Sequence, residues 1–385
     1  MRILFLSSAF PVPWAPDHGS YNLRLCQALL GKHDVRVVAP VPWLAELEAT
    51  LRGKPGVPKD RCTSLEGIDV DYPRYWYPPG ILRSAYHRFL WNSTRKHLEI
   101  IAKEFAPQAV LGYWAHPDGQ VAVQLARRIG ASAWIMVGGS DVFLLTRDGT
   151  RRRRILQALR SADGVIAVCE ELRNRLVDLG LPDSDVHVVR RGVDRAHFQP
   201  GDRGRARARL GMSLDERALL WVGRFAEIKG LETLIKALAL LRPGPFKTML
   251  YLAGGGPLDH SIRARVRQAG LHDSVRFLGR VPHADLVHWY QAVDLTVLPS
   301  LSEGIPNVLL ESHACGTPFV ASAVGGVPEI ALNGIDELVG PGDAAELAQA
   351  IEGVLGRGQP TSAALAASVP AAQDSAGAVA ALLAR

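Results

Sequence analysis

The sequence predicts an α/β protein built from two doubly wound parallel-sheet units. Three observations carry this. Short apolar runs alternate with amphipathic stretches from the first residues onward. The alternation is interrupted by an Arg- and Gly-rich segment and then begins again. Glycine-bounded turns follow several of the apolar runs. Strands alternating with helices imply a parallel sheet covered on both faces. A chain of 385 residues is long for one core and comfortable for two.

In the first unit, Arg2–Ser7 reads as a strand and Tyr21–Leu30 as a helix. The apolar start is too short for a leader peptide and soon meets Pro11 and Pro13, so it reads as a buried first strand. Asp34–Ala39, Ala109–Gly112, Ala133–Val137 and Gly164–Val168 read as further strands. Gly201–Arg209 has no large apolar residue and reads as a linker. The second series has strands at Ala218–Val222, Thr248–Ala253, Val275–Leu278, Leu295–Leu298 and Phe319–Ala321, with a helix at Leu231–Leu241. The expected boundaries are a first domain at 1–196, a linker at 197–214, a second domain at 215–358 and an Ala-rich tail at 359–385, read as helical or partly disordered.

The composition is that of an ordinary globular protein, 48% hydrophobic and 21% charged. A formal net charge of +6 favours anionic partners such as phosphates, acidic glycans or a lipid surface. No zinc-finger spacing, RNA-recognition signature or regular basic stripe points to nucleic acid. No segment approaches the roughly 20 apolar residues of a spanning helix. Cys26, Cys62, Cys169 and Cys315 lack metal-type spacing and read as free thiols in a reducing compartment.

The segment Ser300–Ile330 is the most informative. Glu303 and Glu311 stand eight apart, the first in a loop before Pro306 and the second inside an apolar helix. Proline suits a first helical turn, whose N–H groups have no intrahelical partner. Those N–H groups and the positive end of the helix dipole make an anion site. A carboxylate further along can accept hydrogen bonds from sugar hydroxyls, so diphosphate at the tip and ribose beside it would be a nucleotide pocket. Upstream, Arg224 and Lys229 lie in the glycine-bounded loop Gly223–Gly230, where Arg grips phosphate bidentately and Lys adds a point charge. Gly254 and Gly256 follow a strand and allow close backbone approach, to a ligand or within a plain turn.

In the first unit, Gly19 and Ser20 lie between strand and helix, where backbone N–H groups can meet a phosphate or an acceptor. His116 and Asp141 each follow a strand; the first reads as a cleft imidazole or a structural histidine, the second as a polar contact or a helix cap. Asp69–Asp71 and Asp183–Asp185 match a metal-binding spacing but read as chance pairs, so no metal is expected. Arg74–Trp91 mixes aromatics with Arg, reading either as a packed helix and loop or as a membrane-docking surface. Arg151–Arg154 reads as a solvated helix face or a contact for anionic lipid.

Together these residues resemble the retaining glycosyltransferases of family 4, from the first strand to about Leu355 and most strongly from Val275 to Ile330. The resemblance implies the GT-B fold, with two Rossmann-like domains facing a central cleft. It implies that Arg224 and Lys229 bind the donor diphosphate, that Glu311 accepts the ribose hydroxyls, and that Glu303 faces the transferred sugar. Gly304, Ile305, Pro306 and Asn307 would line the phosphate site through the backbone N–H groups near Ile305–Asn307, Gly223, Gly254 and Gly256 would line the donor, and His116 would stand near the sugar with Gly19 and Ser20 close to phosphate and acceptor. The chain departs from the family in carrying Gly139 where a His is frequent and Arg191 where an Asn is frequent, and its tail lacks an aromatic-rich last helix returning to the first domain. The implied activity is metal-independent transfer, without a cofactor, from a nucleotide-diphosphate sugar to a glycan or lipid-linked hydroxyl. The implied location is the cytoplasm, with peripheral contact at the inner face of the plasma membrane. A nucleotide-sugar epimerase of the same fold and a non-catalytic nucleotide-sugar-binding protein are the rivals.

Overall fold

Each apolar run of the first series becomes a parallel strand. In the computed structural model, which describes residues 1–242, 246–357 and 362–385, the first ten strands are β1 (Arg2–Leu6), β2 (Asp34–Val38), β3 (Val41–Pro42), β4 (Cys62–Leu65), β5 (Ile68–Asp71), β6 (Arg74–Tyr75), β7 (Ala109–Tyr113), β8 (Ser132–Val137), β9 (Gly164–Ala167) and β10 (Val186–Val188). Eight of them form one sheet in the order β10-β9-β8-β7-β1-β2-β5-β4, parallel except where β4 meets β5. β3 and β6 make a separate short pair. The central strands β1, β7 and β8 are buried almost throughout, as a sheet covered on both faces requires.

The second unit repeats the plan with β11 (Glu216–Arg224), β12 (Lys247–Gly255), β13 (Val275–Gly279), β14 (Leu295–Leu298), β15 (Phe319–Ser322) and β16 (Glu337–Val339). They form one all-parallel sheet in the order β13-β12-β11-β14-β15-β16. Its core gathers Trp221, Leu252, Leu295, Phe319 and Ile351 from strands and covering helix. The strands that sequence reading passed over (β3, β4, β5, β6, β10 and β16) are two to four residues long, and all but β3 carry polar residues, so their apolar signal is weak.

The domain boundaries expected from composition need correction. The chain divides into Met1–Arg191 with Ala372–Arg385, and Gly192–Ala371. The 197–214 segment is therefore no free linker. It holds the helix Arg203–Leu210, capped by the Asp202 side chain and packed on the helix Leu286–Ala292 of the second unit. Arg207 is buried there. Its guanidinium donates to Asp294 Oδ2 at 2.8 Å and to the carbonyls of Ala292, Ser213, Leu214 and Glu216. Arg203 joins Asp294 as a second ion pair. The burial of Arg207 is tolerated because the guanidinium's donors meet oxygens.

The described part of the tail takes the helical one of its two expected states. The expected boundary at 358/359 lies outside the described residues. Beyond it, Ser362–Ser368 and Ala372–Leu383 are helices. The second packs on the helix Ser20–Leu30, with Val379, Leu382 and Leu383 in the first unit's core. Ser375 Oγ also donates to the Arg190 carbonyl at 2.7 Å. All four cysteines are free thiols, three buried and Cys62 half-buried.

Arg207→Ala should lower the unfolding free energy by about 3 kcal/mol, because Asp294 and four carbonyls lose a buried partner. Urea denaturation measures this; a change under about 0.5 kcal/mol would show that the ion pair does not hold the helix.

Candidate active site

In the second unit the chemistry gathers at the carboxyl ends of β11 and β14, where ligands of open α/β sheets bind. Arg224 ends β11 and is exposed. The short turn Glu227–Lys229 follows, and Gly230 closes it at φ +65°. A Cβ at Gly230 would lie 1.8 Å from the Pro299 carbonyl oxygen. Leu301 N–H donates to the Ile228 carbonyl at 2.8 Å. The loop after β11 is thus pressed onto the loop after β14, which brings Lys229 to Glu303. Lys229 Nζ stands 2.5 Å from Glu303 Oε1, and Ser300 Oγ donates to the same oxygen at 2.6 Å.

The Glu303 loop is shaped from behind by the Gly-Gly turn. Gly325 has φ +54°, and a Cβ there would meet the Glu303 carbonyl oxygen at 1.9 Å. Gly326 N–H donates to the Gly304 carbonyl at 2.9 Å. Ile305 is buried, and Pro306 immediately precedes the helix Asn307–Ala314. Proline at that point leaves the free N–H groups to the residues beyond it.

Glu311 lies in this helix, 6% exposed. His283 Nε2 is 2.8 Å from its Oε1, and the Tyr290 hydroxyl donates to its Oε2 at 2.9 Å. Burial first, and then the Glu311 charge, push the Tyr290 phenol well above its ordinary pKa, so it remains a donor. The next two residues are also buried and polar. Ser312 Oγ meets Thr296 Oγ1 at 2.7 Å and donates to the Thr317 carbonyl. His313 Nε2 is 3.0 Å from Asp336 Oδ1, and Asp336 also accepts from the N–H groups of Phe319 and Leu332.

The glycines of the β12 turn have a structural reason to be glycine. A Cβ at Gly254 would lie 1.8 Å from the Gly223 carbonyl oxygen across the sheet, and one at Gly256 would lie 2.7 Å from the Phe225 oxygen.

In the first unit, His116 follows β7 and is buried. Its Nε2 is 3.2 Å from the Ser84 carbonyl and 3.3 Å from His87 Nδ1. The Ser84 carbonyl can only accept, so His116 Nε2 carries the proton in that bond. Burial is the main cause that pulls both histidines down to a pKa of about 4, with nearby positive charge adding to it. Asp141 is fully buried and accepts from the N–H groups of Ala115, Gly138 and Gly139. It braces the loops after β7 and β8, and burial raises its pKa. Asp118, likewise buried, accepts from Ser8 N–H and Oγ–H, and burial raises its pKa to about 7.

Gly19 backs onto Ala9, where a Cβ would lie 2.1 Å from the carbonyl oxygen, and Ser20 opens the following helix. Arg191, which replaces an expected Asn, donates to the Tyr113 hydroxyl at 2.7 Å and lies over the Tyr21 ring at 4.3 Å. The Asp71 of the Asp69–Asp71 pair is taken by Arg36 and His97.

The structure therefore joins Lys229 to Glu303 directly and gives Glu311 two protein partners. Sequence reading missed Ser300, His283 and Tyr290, and also His87 and Asp118. Ser300 lies three residues from its partner Glu303; nothing local marks the other four, whose partners lie from 21 to 110 residues away.

Residues 18–197 match the model described as Glycosyltransferase Family 4, and residues 216–357 match Glycosyl transferases group 1. A D-inositol 3-phosphate glycosyltransferase of Frankia alni is 36% identical over 265 residues, 63% of this chain and 64% of that one. The aligned stretch thus spans under two thirds of the Frankia protein. TuaC of Bacillus subtilis, provisionally named a teichuronic acid biosynthesis glycosyltransferase, is 28% identical over 91% of this chain and 88% of its own. Anabaena HepE, solved in complex with UDP, superposes with a TM-score of 0.76 at 19% identity, covering 100% of both chains. The fold is GT-B, as for these structural neighbours.

Because the two buried histidines are neutral in the fold, unfolding takes up protons, and their contribution to stability should fall as pH drops from about 6.5 to about 4. NMR titration should find His87 and His116 neutral at pH 6. Uptake of protons by both near pH 6.5 would contradict their placement away from water.

Proposed function

The chain belongs to the family 4, group 1 glycosyl transferases, and on that premise we propose that it moves a sugar from a nucleotide-diphosphate donor to a hydroxyl acceptor. The observation that carries the proposal is Lys229 held at Glu303 beside the Pro306-headed helix. Charge builds on the departing diphosphate as the glycosidic bond breaks. Fixed cations and N–H dipoles at that spot lower the barrier. Lys229 has three N–H donors, of which Glu303 takes one, so the others are available for phosphate oxygens. Arg224 adds an exposed guanidinium from the same loop. These groups supply the charge without a metal.

Glu303, already bonded to Lys229 and Ser300, faces the transferred sugar in this reading and is no nucleophile. The configuration at the anomeric carbon is retained by attack on the face the diphosphate leaves, with a departing phosphate oxygen taking the acceptor's proton. Glu311 takes the ribose hydroxyls. HepE's UDP complex makes UDP the first nucleoside diphosphate to try. The teichuronic acid name of TuaC favours cell-surface polysaccharide assembly, and the inositol phosphate name of the Frankia relative favours a phosphorylated acceptor as the next class.

We further propose that the chain works in the cytoplasm against an anionic membrane surface. Trp76, Ile81 and Leu82 are exposed, Arg74, Arg83 and Arg88 are exposed beside them, and no Asp or Glu falls between Asp71 and Glu99. Among the described residues no helix is long and apolar enough to cross a membrane. Apolar residues with cations favour lying on a bilayer. The protein should float with vesicles containing phosphatidylglycerol and not with phosphatidylcholine alone, and Trp76→Ala with Ile81→Ser should abolish flotation. Equal flotation of that variant would remove the assignment.

Thermal-shift screening against UDP-, GDP- and ADP-sugars should pick one donor, and nucleoside diphosphate should then be released in step with acceptor. Lys229→Ala should cut turnover by roughly 100-fold or more, with the melting temperature kept. Unchanged turnover would refute the assigned site.

A further inference from the structure

We infer that Tyr290 and His283 are positioning residues for Glu311, fixing its carboxylate so that it takes both vicinal hydroxyls of a donor ribose. The inference rests on the donor-pocket reading above and adds two residues to it.

The geometry is specific. Glu311 is nearly buried, and each of its oxygens has its own protein partner, Tyr290 OH on Oε2 and His283 Nε2 on Oε1. The partners come from successive elements: His283 from the turn His283–Asp285, Tyr290 from the helix Leu286–Ala292. Both rings are themselves held. Phe198 packs edge-on against His283 at 5.1 Å and against Tyr290 at 6.1 Å, and Thr317 Oγ donates to the Tyr290 carbonyl at 2.6 Å. Tyr290 is 0% exposed. A buried phenol needs one acceptor, and this one spends its hydroxyl on the carboxylate assigned to the donor.

The arithmetic of acceptors then suits a diol. A carboxylate offers about four lone-pair positions. Phenol and imidazole take two. Two remain, one on each oxygen, which is the number a 2′,3′-diol needs. Without rigid partners the carboxylate could rotate about its terminal torsion, which is soft for Glu. With them, its plane is set before the nucleotide arrives, and ordering it costs nothing on binding.

The test compares ribose with 2′-deoxyribose. Calorimetry would measure UDP, ADP and GDP, each beside its 2′-deoxy counterpart, on the wild type and on Glu311→Gln, Tyr290→Phe and His283→Asn. The wild type should bind the ribose form of its preferred nucleotide roughly tenfold more tightly, since a hydrogen bond to a charged group is lost in the deoxy form. Tyr290→Phe and His283→Asn should shrink that ratio to about threefold or less, with kcat at saturating donor little changed. If Tyr290→Phe does not fold, His283→Asn alone decides. A ratio kept in both variants but lost in Glu311→Gln would overturn the positioning role and leave the pocket intact. Weakening of both nucleotide forms in equal proportion would mark a merely structural role and overturn it too. Absence of any ribose preference in the wild type, or no binding of the three nucleotides, would remove the pocket reading and this inference with it.

Discussion

The anchoring of one short helix governs the second unit. Asn307–Ala314 carries three consecutive polar residues, Glu311, Ser312 and His313, and all three are buried. A buried polar group without a partner costs on the order of 1–3 kcal/mol, so each must be bonded. The bonds run to three separate places: the helix Leu286–Ala292 through Tyr290, β14 through Thr296, and the loop before β16 through Asp336. No rotation or slide of the helix could keep all three. Its amino end, and with it the Pro306 and Glu303 loop, is therefore placed by tertiary bonds rather than by helix propensity.

The same logic explains the glycines. Gly230 and Gly325 do not loosen the loops; they let two backbones touch where a methyl group would collide. The consequence is a Lys–Glu pair from loops 74 residues apart, with side chains largely shielded from water. Such a pair is only weak evidence for stability, since desolvation offsets much of the attraction. Its value lies in position. The pair joins the loop after β11 to the loop after β14.

The first unit uses buried carboxylates for a similar purpose. Asp118 fixes the turn after β1 through Ser8, and Asp141 fixes the turns after β7 and β8 through three N–H groups. Neither needs to touch a ligand to shape the loops from which Ser20 and His116 project. Asp141 was read as a polar contact or a helix cap, and its bonds make it a brace between two loops. Arg191 fills the place of an expected Asn by lying across two tyrosine rings.

The sequence by itself determined the strand–helix alternation, the two parallel sheets, the placing of Lys229 and Glu303 in loops and that of Glu311 in the helix that follows, because apolar period, glycine and proline act over a few neighbouring residues. It also placed the break between units only roughly, since the partners of Arg207 and of the Ala-rich tail lie far along the chain. Tertiary structure alone decided which side chains meet. Lys229 with Glu303, His283 and Tyr290 with Glu311, and His87 with His116 are pairs of distant residues. Hydrogen bonds act over about 3 Å, and no local pattern records which distant atoms folding will bring within that reach.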